Sequence, residues 1–290
     1  MSRSVQGLLW CVVFLALDAV QAVYFGAALQ RMDAFLVGGI VFGLSATLTI
    51  AWVALRDPGQ IALALDSRRD LLGLNATAAG AWLAYLVAIQ LIEPAIAFTI
   101  FSGLVPLAAI WAGRIGLTDE PPGRSALETA GHWLLGSGIL ALAAATLAGL
   151  SGFVRGGVWA ALAGLALSAG AGMLITGMLI YGQRLDRAGV RPLAQSGLRF
   201  PLYVALAVFA WLAGLDAKPA VPAPDLLLAV LVGLAVLAFP IFAVQKAVSL
   251  ASTLTIGTFA AATPLVVFLL QVLEGRVAYA PATLVGLSIY

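Results

Sequence analysis

The residue with the strongest claim to chemistry is Asp18. It stands inside the apolar run 4–30, eleven residues after Gly7 (18 − 7), which is about 16 Å into a hydrocarbon layer about 30 Å thick. A carboxylate at that depth costs roughly 2.5–3.5 kcal/mol on insertion scales and is by default a functional site. It could hold a substrate ammonium, or take up a proton and couple transport to a proton gradient. A protonated Asp bonded to nearby backbone would instead serve helix packing. Gln21 follows three residues on, on the same helical face. Trp82 and Tyr85 share a face of a later helix, with Gln90 nearer its outer end. Phe98 with Phe101 and Phe239 with Phe242 repeat the three-residue spacing, and Gln245 closes the run that holds the second pair. An aromatic hollow with a few polar groups suits an amino acid or a drug-like ligand. Aromatics facing lipid or the core would show the same spacing.

Other polar residues point to structure. Ser252, Thr255 and Thr258 form a stripe of hydroxyls able to bond their own helix backbone. Ala160, Gly164, Ser168, Gly172 and Thr176 recur every four residues and make a face for close helix packing. Glu93 before Pro94 reads as ordinary electrostatics at a helix start. Gly149-Leu-Ser151-Gly152 resembles the GxSG of rhomboid-type intramembrane serine proteases, whose serine needs a base within hydrogen-bond reach. The single histidine, His132, lies nineteen residues earlier (151 − 132), about 28 Å along one helix. That serine–histidine pair cannot form. One histidine also excludes a multi-histidine metal site, and the single cysteine, Cys11, excludes a disulfide framework. No Walker A loop or H-E-x-x-H motif is present, so neither direct ATP drive nor zinc hydrolysis is expected. We expect no enzyme activity and no cofactor.

These residues need a scaffold, and composition names its class. Of 290 residues, 62% are apolar and only 10% charged, with 15 Lys+Arg against 13 Asp+Glu. Soluble domains carry about 25% charge, so this chain belongs in lipid. There is no basic face for a nucleic acid. A crossing takes about 20 residues. The charge-free runs are 34–55, 71–92, 94–113, 129–154, 156–183, 200–215, 226–245 and 247–273, joined by 4–30 if Asp18 is allowed. The run 277–290 ends before crossing fully. Residues 4–17 could be a signal-peptide core, but the apolar pattern resumes after Asp18 and favours a first span. The expectation is an all-α integral membrane protein of ten transmembrane helices, nine complete and one partial, because lipid leaves no partner for irregular backbone.

Lys and Arg orient it. With the N-terminus inside, Arg3, Arg56, Arg68, Arg69, Arg114, Arg124, Arg184, Arg187, Arg191, Arg199 and Lys246 are cytoplasmic. Arg31, Arg155, Lys218 and Arg276 are outside. Both termini are therefore expected in the cytoplasm. Six tryptophans fall near helix ends, whereas Trp82 falls near mid-membrane. The fourth span reads Phe101-x4-Pro106-Leu107 and the ninth Phe259-x4-Pro264-Leu265, 158 residues apart (264 − 106), each preceded by a Gln that closes the helix before. Two five-helix halves, 1–150 and 155–290, fit this repeat. An odd helix number per half forces opposite topology, as in alternating-access carriers. Prolines inside both helices free backbone carbonyls and suit gating kinks at Pro106 and Pro264.

Ten spans, inverted halves, the two F-x4-P-L helices and Glu274-Gly275 closing the ninth resemble the drug/metabolite transporter superfamily, EamA family. The stretch Trp82-x2-Tyr85-x4-Gln90 running into Pro106 most resembles the YddG-type exporters of aromatic amino acids. The acidic residue that the resemblance implies about ten positions after Pro106 is replaced by Gly116, with Arg114 nearby. What it implies is a secondary carrier in a bacterial inner membrane that exports aromatic and other apolar amino acids. Its partners would be a small-molecule substrate and the bilayer, with no obligatory protein partner. Another solute, or a non-transporting scaffold built on the small-residue faces, is the alternative.

Overall fold

The computed structural model describes residues 3–117, 125–248, 250, 253–275 and 277–290. Among these the chain is helical, with one isolated backbone bridge between Ile92 and Val154. The helices are α1 (Arg3–Ala28), α2 (Ala34–Arg56), α3 (Gly59–Asp66), α4 (Arg68–Leu91), α5 (Pro94–Arg114), α6 (Ala126–Leu147) and α7 (Val158–Arg187). They continue with α8 (Pro192–Leu198), α9 (Pro201–Leu212), α10 (Ala223–Gly233), α11 (Phe239–Val248), α12 (Thr253–Glu274) and α13 (Pro281–Ile289). Among the described residues, eight segments are long and apolar enough to cross a membrane, the seventh being α8 and α9 together and the eighth α10 running on into α11. The chain is a helical, multi-pass membrane protein.

Local chemistry sets the boundaries. Asp33 caps α2, its carboxylate accepting from the amides of Phe35 and Leu36 at 2.9 Å. Ser125 and Glu128 form a reciprocal capping box at the start of α6. That helix stops seven residues short of the charge-free run 129–154. Gly149 turns left-handed there (φ 71°), and the amide of Leu150 closes on the carbonyl of Ala145.

The seventh span departs most from its charge pattern. A charge-free run beginning at residue 200 puts Arg199 at a boundary, yet the span begins at Pro192 and Arg199 is buried within it. Pro201 has no amide hydrogen and breaks the helix between α8 and α9. Asn75 of α4 mends the break: its Nδ2 donates to the Leu198 carbonyl at 2.7 Å and its Oδ1 accepts from the Leu202 amide at 3.3 Å. In the eighth span, Leu234–Ala238 widens into a π turn just before Pro240, where the missing amide and the bulky ring disrupt the α ladder.

α4 packs most extensively on α7, and α11 on α1. α5 also lies on α7, and α12 on α1. Three pairs, α2 with α9, α5 with α12 and α6 with α13, lie against each other. Glycines permit the closest approaches. A Cβ on Gly172 would stand 2.5 Å from the Phe101 carbonyl oxygen, and one on Gly164 2.6 Å from Ile92. The small-residue ladder of α7 is therefore the seat of α4 and α5. Leu140, Trp159 and Leu273 point outward, as a lipid-facing surface requires.

The two ends differ. One, here the basic end, gathers Arg56, Arg68, Arg69, Arg114, Arg184, Arg187 and Arg191; Arg191 pairs with Asp57 at 2.8 Å and Arg184 with Asp70 at 3.7 Å. The far end carries the turns that follow α1, α4, α6, α9 and α12.

Candidate functional site

A column of aromatic rings crosses the core. Phe200 stacks on Phe42 (4.4 Å between centroids), Phe42 meets Trp82 at 5.1 Å, Trp82 meets Tyr85 at 6.0 Å, and Tyr85 meets Phe101 at 4.8 Å. Phe98 joins at the Tyr85 and Phe101 end, and Tyr203 stands edge-on to Phe42. Four elements supply these rings, because α2, α4, α5 and α9 each turn one face to the centre. Of the sequence candidates, Trp82, Tyr85, Phe98 and Phe101 come together here. Asp18 and Gln21 of α1 join them: Asp18 is within electrostatic reach of the Tyr85 phenol and the Gln21 side chain lies beside it.

The polar atoms of this region are the notable feature. Trp82 Nε1 and Tyr203 Oη are buried without a hydrogen-bond partner among the described residues, and Gln21 Nε2 and Tyr85 Oη, which lie beside each other, form no well-aligned bond. Each such group costs about 1–3 kcal/mol, and buried polar side chains in native proteins are overwhelmingly paired. Tyr203 Oη lies over Gly38, where a Cβ would come within 2.1 Å of it. Gln21 and Tyr85 lie at the meeting point of α1 and α4 near Asp18, and Trp82 stands one turn before Tyr85 on α4.

The remaining candidates lie elsewhere. Phe239 and Phe242 form a separate group with Trp10 of α1 (6.2 and 5.8 Å), with Phe239 partly exposed and Lys246 over the Phe242 ring. The side chain of Gln245 lies outside the described residues, as do those of Ser252, Thr255 and Thr258. Pro106 and Pro264 stand inside α5 and α12. Pro264 is buried and Pro106 exposed; Thr176 of α7 donates to the Val105 carbonyl beside Pro106 at 3.2 Å.

Gln90 belongs to a different site, at the far end. Its Oε1 accepts from Lys218 Nζ at 2.6 Å, its own Nε2 donates to the Leu86 carbonyl, and its backbone carbonyl accepts from Gln30. Lys218 also pairs with Asp216, whose Oδ2 accepts from the Ala34 amide at 2.8 Å. One polar knot thus ties the α9–α10 loop to the start of α2 and the end of α4.

A second knot centres on Glu93, which is fully buried. It makes no side-chain cap on its own helix, which corrects the reading of Glu93 as an ordinary helix-start charge. Its Oε2 accepts from the Gly152 amide and the Thr283 hydroxyl, both at 2.8 Å, and its Oε1 accepts from Gln271 Nε2. Gln271 Oε1 caps the buried start of α5, accepting from the Ala95 amide at 3.0 Å. Burial pushes the Glu93 carboxyl up, and the bonds from Gly152, Thr283 and Gln271 oppose the shift.

Sequence reasoning missed Phe42, Phe200 and Tyr203, whose apolar runs offer no contrast, and Gln271, whose isolation in an apolar helix was a usable signal. His132 lies in the first turns of α6 and Ser151 beyond its last, and Ser151 Oγ is buried without a partner among the described residues.

No protein-family model matches this chain, and no curated protein matches it. Nine solved chains match its fold. One of them, described only as a "Crystal structure of protein", superposes with a TM-score of 0.65 over 98% of this chain and 93% of that chain, at 18% identity. At that identity the likeness is one of fold.

Proposed function

We propose that the protein is a secondary carrier of small amphipathic solutes, working by alternating access in a bacterial inner membrane, with aromatic and apolar amino acids the favoured cargo for export. One observation carries this reading: the buried polar groups of Gln21 and Tyr85 gather with Asp18 among aromatic rings, next to Trp82, whose Nε1 has no partner among the described residues. A solute with a cationic group for Asp18, acceptors for the three donors and an apolar body for the rings would satisfy all of them at once. Such a site, on α1 and α4 of the first half with Phe200 and Tyr203 of the second half packed onto its ring column, suits the central binding that carriers of inverted halves use.

The ten-span, two-repeat layout is part of the proposal, with α8–α9 as the seventh span, α10–α11 the eighth, α12 the ninth and α13 the partial tenth. Exchanging the halves span for span turns α4 on α7 into α11 on α1, and α5 on α7 into α12 on α1. It maps the pairs α2–α9, α5–α12 and α6–α13 onto themselves. This correspondence supports the repeat and, with it, membership of the drug/metabolite transporter superfamily. The scaffold alternative loses ground because the small-residue ladder of α7 is already occupied by α4 and α5 of the same chain.

Flux of labelled tryptophan and leucine into proteoliposomes tests the reading. Trp82→Ala and Tyr85→Phe should reduce saturable flux at least severalfold, and Asp18→Asn should abolish accumulation of solute against its own gradient, driven by a proton gradient, while leaving exchange. Absence of saturable flux for amino acids and for aromatic cations alike would overturn it.

A further inference from the structure

A groove of about 360 Å³ opens on the lipid-facing surface between α5 and α6, near the basic end. Because the two helices run in opposite directions here, the last turn of α5 and the first turns of α6 meet at one depth. There the groove presents the Arg114 guanidinium and the His132 imidazole, flanked by the exposed indoles of Trp111 and Trp133. Deeper in, Leu107, Ile110 and Gly136 make its apolar wall. A Cβ on Gly136 would meet nothing within 4 Å, so the space beside it is open.

We infer that this groove is a binding site for one acidic phospholipid, its phosphate held by Arg114 and its acyl chain laid along Leu107, Ile110 and Gly136. Two indoles and a guanidinium mark headgroup depth, and basic pockets between spanning helices bind anionic headgroups. Arg114 lines the groove and makes no hydrogen bond or ion pair with the described residues, which leaves the five donors of its guanidinium for a ligand. The guanidinium supplies paired donors to phosphate oxygens, and the indole N–H groups supply more. A free phosphate would leave the apolar half empty, whereas a diacyl lipid fills both halves. The inference rests on the chain crossing a membrane and is independent of any transport.

Native mass spectrometry of the purified protein with dioleoylphosphatidylglycerol or dioleoylphosphatidylcholine tests it. The unaltered protein should retain the acidic lipid in preference. Arg114→Gln should weaken that retention by about fivefold, the worth of one cation near a lipid surface. Gly136→Leu should fill the groove and weaken retention of the acidic lipid without any change of charge. Arg69→Gln, exposed at the same end but outside the groove, should leave it unchanged. The site does not exist if both lipids are retained equally, if Arg69→Gln and Arg114→Gln act alike, or if Gly136→Leu has no effect. Displacement of the lipid by millimolar inorganic phosphate would equally overturn the acyl-chain contact. Arg69 and Arg114 are exposed, so thermal unfolding should be unchanged in their variants, and Gly136→Leu, which replaces a glycine inside α6, should not lower it.

Discussion

Glu93 shows what a side chain is for only once its partners are known. Beside Pro94 it has every local mark of a helix-start charge. Its partners lie 59, 178 and 190 residues away in sequence, and they draw one carboxylate into a fully buried junction of the α4–α5 turn with Gly152, Gln271 and Thr283. Removing the Thr283 hydroxyl (Thr283→Val) should lower stability by about 1–3 kcal/mol, the scale of one bond to a charged buried group. The pH dependence has a definite sign. Burial raises the folded-state pKa of Glu93 above its ordinary value near 4.5, so the folded protein keeps this proton to higher pH than the unfolded chain does. The unfolded state then ionises first, and stability falls as pH rises from about that ordinary value to the folded-state pKa, levelling off above it. Glu93→Gln should remove this slope, as read from unfolding temperatures in detergent between pH 4 and 8; an identical slope in the variant would assign it to another group.

Helices were legible as far as charge marks the edge of a span. That rule placed α1, α2, α4, α5 and α7 within a few residues because a charge stands at or near each of their ends. It failed at Arg199, since a cation buried inside a span looks in sequence like the end of one, and so α8 was left out of its helix. Proline was read as a kink in α5 and α12, yet Pro201 makes a full break and Pro240 a π turn. Which of these outcomes a proline produces depends on what accepts the freed backbone groups, and that partner lies on another helix. Asn75 is the case in point. Replacing it with Leu would strand the Leu198 carbonyl and the Leu202 amide in a dry interior, at about 1–3 kcal/mol each. Asn75→Leu should therefore lower the unfolding temperature by many degrees, and more than Asn75→Asp, whose carboxylate can still accept from Leu202. Equal losses would mean that packing volume, and not the mended break, is what Asn75 provides.

At the scale of the whole molecule, the candidate site and the two far-end knots form one argument. The aromatic column was half visible in sequence, through Trp82 and Tyr85 at i, i+3, while Phe42, Phe200 and Tyr203 needed the packing of α2 and α9 against α4 to become neighbours. The knots were invisible, because Lys218, Asp216 and Gln90 converge only when the α9–α10 loop folds over the ends of α2 and α4. On the proposed carrier reading, these knots hold the far end closed over the site and must be untied to release cargo on that side. Lys218 is the weakest fastening to remove cleanly, since Asp216 keeps the Ala34 amide after its loss. In a Cys11→Ser background, a cysteine at Leu86, one turn beneath Gln90, should react slowly with a membrane-impermeant maleimide added at the far end. Adding Lys218→Met should speed that labelling about tenfold for each 1.4 kcal/mol of closure lost. An unchanged rate would mean that the Lys218 knot staples the loop without gating the path, and the gate would then have to lie at Glu93.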